Sequence, residues 1–74
     1  MKVKHLKGFT RRQIDVLHLL AEQHTYDQMA RILGISKNTL HTHVVNIMRK
    51  TDIWKQVQLI KYAQEQGYGR RAAS

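Results

Sequence analysis

Five histidines in a chain of 74 residues make metal binding and acid–base catalysis the first chemistry to weigh. Two of them, His41 and His43, stand two residues apart. On a helix that spacing turns the rings toward nearly opposite sides, so they cannot share a metal. A helical zinc pair wants a spacing of four with an acid alongside. The chain has no cysteine to supply a thiolate. It also lacks a Gly-rich phosphate loop, a close carboxylate pair and a Ser–His arrangement, and Ser36 has a simpler use as a helix cap. The reading is not an enzyme, with no metal and no cofactor.

A second chemistry fits the same stretch better. If Leu40, Val44 and Ile47 face inward on a helix, then Asn38, His41, Thr42, Val45 and Asn46 face outward, with Arg49 and Lys50 further along. Phosphate anchoring is expected from Lys37, Asn38, Thr39, Asn46 and Lys50, with Lys55 beyond the helix. The first three lie in the opening turn, where free N–H groups and the positive end of the helix dipole favour anions. Thirteen Lys and Arg against five Asp and Glu give a formal charge of +8, which on so small a body favours a polyanion.

The elements that must position these residues are marked by their ends. Thr10 with Gln13 forms one capping box, and Phe9 with Ile14 stands at staple spacing. A first helix should follow, carrying Ile14, Val16, Leu17, Leu19, Leu20 and Ala21 as a wide apolar face that must be largely covered, and stopping near residues 22–24. Thr25 with Gln28 opens a second, short helix through Leu33, with Met29, Ile32 and Leu33 as its core face and Gly34 as its stop. Ser36 caps a third helix, from 37 to about 51, burying Leu40, Val44, Ile47 and Met48, with Ile35 and Leu40 at staple spacing. After a break at 52–55, a fourth should run over about 56–66, with Leu59, Ile60 and Ala63 inward. The expected fold is all-α. Residues 1–8 and 68–74 are expected to be basic tails around one domain spanning 9–67. No apolar run approaches the roughly 20 residues of a membrane span, and the N-terminus is not a secretory signal. The expectation is a cytoplasmic protein with no membrane partner.

Two helices joined by a turn of three or four residues need a small residue where they cross and a turn residue that tolerates positive φ. Apolar residues must also hold the second helix down. Ala30, Gly34 and the set Met29, Leu33, Ile35 and Leu40 supply these in order. This is the constellation of a helix-turn-helix.

At this point the chain resembles a known family. Phe9-Thr10-Arg11-Arg12-Gln13, Val16-Leu17, Leu19-Leu20-Ala21, Met29-Ala30, Ile35-Ser36, Thr39-Leu40, His43, Ile47 and Lys50 look like the LuxR/GerE-type helix-turn-helix DNA-binding domain. The resemblance covers about residues 9–67 and implies a four-helix domain of a bacterial transcriptional regulator. Its third helix would enter the major groove of double-stranded DNA. It implies base contacts from His41, Thr42 and Val45, and a homodimer through the fourth helix, where Val57, Lys61 and Gln64 would meet the partner. With no receiver or ligand-binding segment beside it, the chain looks like the stand-alone form. It departs from the family pattern at Gln13 and Gln28, where Glu is usual, at Gln23, where Gly is usual, at Thr51, where Leu is usual, and at Lys55, where Ser or Asn often caps the fourth helix. His43 matches a recurrent histidine and reads as a partly buried brace rather than a base reader.

A rival reading keeps the fold and changes the partner. The domain could be a protein-interaction module, an antagonist pairing with another regulator or a piece that contacts RNA polymerase, with Trp54, Tyr62 and Tyr68 as its surface. An outward polar face on the third helix argues for DNA, and the lack of an aromatic platform argues against RNA.

Overall fold

In the computed structural model, which describes residues 8–69, the chain forms four helices: α1 Arg11–Ala21, α2 Tyr26–Leu33, α3 Lys37–Thr51 and α4 Gln56–Glu65. The fold is all-α. Packing follows from the apolar stripes. α1 contacts both α3 and α4, and α2 packs on α3. Val16, Leu17 and Leu20 of α1 are fully buried with Met29, Leu40, Ile47, Leu59 and Ala63, so α1 is the strut on which α3 and α4 close, with α2 docked on α3. Each fully buried Leu or Ile contributes about 1.5–3 kcal/mol relative to exposure.

The helix starts are fixed locally. Both capping boxes form: Gln13 N–H donates to Thr10 Oγ1 at 3.1 Å while Thr10 N–H donates to Gln13 Oε1 at 3.0 Å. Thr25 and Gln28 repeat the pattern with the same two distances. Ser36 Oγ accepts from Thr39 N–H at 3.0 Å and donates to Thr39 Oγ1 at 2.9 Å. Lys55, in contrast, begins α4 with no side-chain cap bond.

Every helix is closed by a residue in the left-handed region: Gln23 (φ 63°), Gly34 (67°), Asp52 (61°) and Gly67 (90°). This turn lets N–H groups beyond the helix satisfy carbonyls in its last turn. His24 N–H donates to Leu19 O, Ile35 N–H to Ala30 O, Ile53 N–H to Met48 O and Tyr68 N–H to Ala63 O.

Three expectations are corrected. Ile32 is 56% exposed, not part of the α2 core face. Tyr26, Met29, Ala30 and Leu33 form the inward stripe, at spacings i, i+3, i+4 and i+7, and Ile32 falls well to the side of it. The expected C-terminal tail also begins too early. Tyr68 stacks edge-on against His18 with ring centroids 5.1 Å apart, and Gly69 N–H donates to His18 Nδ1 at 2.8 Å. Both residues therefore belong to the packed domain. α1 and α4 each stop slightly short of the expected ends, at Ala21 and Glu65. The remaining tail positions, 1–7 and 70–74, lie outside the described residues.

Candidate nucleic-acid interface

α3 is held by one side and open on the other. Leu40, Val44 and Ile47 are at most 1% exposed. Lys37, Asn38, Thr39, His41, Thr42 and Arg49 are exposed, while Val45 and Asn46 are half-buried. The turn at Gly34 and the Ser36 cap set where this face begins, and Lys37, Asn38 and Thr39 are all exposed in its first turn. Of the first N–H groups of the helix, that of Thr39 is taken by Ser36 Oγ.

The open face is not made of free side chains. Thr42 Oγ1 donates to Asn38 O at 3.1 Å. With its hydrogen committed there, the hydroxyl keeps an acceptor lone pair and the side chain presents its methyl. Such a group can accept from an adenine or cytosine amino group or pack on a thymine methyl. Arg49 Nη1 donates to Asn46 Oδ1 at 3.2 Å, which aligns the two along the outer stripe. Thr39 accepts from Ser36 and so keeps its own hydroxyl hydrogen to donate outward.

One edge of α3 leans on the first turn of α2. The His41 ring lies 6.2 Å from that of Tyr26, tilted by 52°. Lys37, one turn earlier on the same edge, places Nζ 2.8 Å from Asp27 Oδ1. That hydrogen bond and the ammonium charge hold the Asp27 carboxyl below the usual carboxylate range, with a smaller pull from Arg31. Burial pushes the Tyr26 phenol above its ordinary value.

The other edge is tied to α1. Lys50 Nζ donates to Gln13 Oε1 at 2.9 Å and to Gly8 O, and sits 5.6 Å from the centroid of the Phe9 ring. Lys50 thus joins the end of α3 to the start of α1, a role that sequence reading did not anticipate. The signal was faint: Gln13 is a capping residue, and its oxygen can take a second donor. His43 is half-buried and falls on the Lys50 side of α3 by helical spacing.

Lys55 is exposed at the start of α4. Val57, 77% exposed, lines a shallow groove with Gln23, Ile60, Lys61 and Gln64. Gln64 is partly committed within the chain, since its amide donates to Ala21 O at 2.9 Å. Among the described residues no group of three or more His, Cys, Asp or Glu is placed to hold a metal ion, and no helix is long and apolar enough to cross a membrane.

The sequence pattern of the bacterial regulatory proteins of the luxR family matches residues 7–63. The chain belongs to the luxR family. Among curated relatives, the uncharacterized response regulatory protein YgeK of Escherichia coli K12 is 38% identical over 58 residues, 78% of this chain and 40% of that protein. The nitrate/nitrite response regulator protein NarP of the same organism is 37% identical over 59 residues, 78% of this chain and 27% of the relative. The transcriptional activator protein PhzR of Pseudomonas fluorescens is 35% identical over 60 residues, 81% of this chain and 25% of the relative. The luxR-family domain therefore spans well under half the length of these relatives. No solved structure matches the chain.

Proposed function

We propose that this luxR-family domain binds double-stranded DNA by laying α3 in the major groove, and that it regulates transcription in the cytoplasm as a homodimer joined through α4. The observation that carries the reading is the division of α3. Leu40, Val44 and Ile47 are sealed against the core, while Lys37, Asn38, Thr39, His41 and Thr42 stand in water beside the positive end of the helix. Regulator and activator relatives support the same reading. Base contacts are assigned to His41, Thr42 and Val45. Phosphate contacts are assigned to Lys37, Asn38, Thr39 and Asn46, with Lys50 and Lys55 at the margins.

Gel shift of genomic promoter fragments against random duplex, with a salt titration, tests it. The expected result is tighter binding to particular fragments, falling steeply with salt. His41→Ala should relax sequence preference, and Lys37→Ala should weaken all duplexes alike. Equal binding to every duplex would remove the sequence-specific part of the reading. A protein partner, RNA polymerase or a second regulator, is the second reading, favoured by Trp54 at 55% and Ile32 at 56% exposure.

A further inference from the structure

Lys37 is assigned above to a DNA phosphate, yet its ammonium already holds an anion. Asp27 Oδ1 lies 2.8 Å from Lys37 Nζ, and both side chains are more than half exposed, at 66% and 60%. A carboxylate at that distance is chemically the same kind of ligand as a phosphate oxygen, an anionic acceptor for the ammonium. Asp27 sits in the first turn of α2, where the helix dipole also favours a negative charge. It is the only acidic residue in the opening turn of any of the four helices. Its side chain therefore puts negative charge on the rim of a face that is otherwise basic and polar.

We propose that Asp27 is a charge brake on DNA binding, an internal competitor that a phosphate must displace from Lys37. The inference rests on the DNA reading of α3. Because the ion pair is exposed, it is weak and readily exchanged. It therefore tempers binding rather than blocking it, and does so most for random duplex, where phosphate contact supplies most of the affinity. Arg31, one turn along α2 from Asp27, adds to the positive field there and leaves the pairing to Lys37.

The test is fluorescence-anisotropy binding of the whole chain to a random-sequence duplex across a salt series. Asp27→Asn keeps the shape and removes the charge. It should bind about threefold tighter at low salt, the size expected for releasing an exposed ion pair. The logarithmic salt slope should steepen by at most about one, because Lys37 then meets the phosphate with its charge uncompensated in the free protein. Asp27→Glu, which restores the charge, should return toward the parent affinity. In a Lys37→Ala background the gain from Asp27→Asn should shrink. The proposal is overturned if Asp27→Asn binds no tighter than the parent, or if the gain persists undiminished without Lys37. Weaker binding would also overturn it, by making Asp27 the holder of Lys37 in its working position. Should the parent chain bind no duplex even at low salt, the DNA reading itself fails and takes this inference with it.

Discussion

Gln23 holds a backbone conformation that costs an L side chain roughly 1–2 kcal/mol, at φ 63°, to close α1. Gly34 and Gly67 do the same work without a Cβ, and Asp52 recovers part of the cost by accepting from Trp54 Nε1 at 3.0 Å. Gln23 has no such compensation and is exposed. Gln23→Gly is therefore expected to stabilise the fold by about 0.5–1 kcal/mol after the extra chain entropy of Gly is subtracted. In a domain of this size that raises Tm by roughly 2–8 °C, as a thermal melt followed by circular dichroism would show. No gain would mean that the Gln23 side chain contributes through the α4 groove. Family resemblance had flagged the position, but the reason is the dihedral angle. The partners of the charged residues were less legible. Asp27 and Lys37, or Gln13 and Lys50, are brought together by the angle at which helices cross, and no local spacing encodes that angle.

At the scale of the helix, the beginnings were readable because capping is local. Thr10 with Gln13, Thr25 with Gln28, and Ser36 satisfy donors three residues away. The inward stripe of α2 was harder. Eight residues make barely two turns, so apolar residues at 29, 30, 32 and 33 fit more than one face, and packing on α3 decides against Ile32. The end of the domain was misplaced because Tyr68 and Gly69 are fixed by His18, some fifty residues earlier. The uncapped start of α4 makes a prediction of its own. Lys55→Ser supplies an oxygen for a free N–H of the first turn and should stabilise the fold by about 1 kcal/mol in a denaturant titration. The same change removes a charge assigned to phosphate, so binding to every duplex should weaken while stability rises. Opposite signs in the two measurements would support that assignment. Stabilisation with unchanged binding would move Lys55 off the interface.

For the whole molecule, the formal charge of +8 and the single reading helix proposed for α3 make different demands. On the proposed reading, the charge would draw the domain to any duplex, whereas one short helix in one groove would read few base pairs, so selectivity would call for a second copy. Two copies related by a twofold axis would read half-sites about one helical turn, or some 34 Å, apart. Linking the two binding events raises affinity by about 10²–10⁴-fold over a single half-site. Val57 gives a way to test this without disturbing the core, since it is 77% exposed in the groove shared with Lys61. Val57→Lys would set like charges against each other across a twofold contact there, and a half-exposed groove in the monomer would tolerate it. The added positive charge can only favour DNA in general, so its electrostatic effect and its effect on pairing have opposite signs. Affinity for a paired site should fall at least tenfold, while affinity for a single half-site stays level or rises slightly. Sedimentation of the variant on the paired site should show one copy per duplex where the parent shows two. If the variant holds the paired site as tightly as the parent, α4 is not the dimer contact, and the exposed Trp54 and Ile32 become the next surfaces to change.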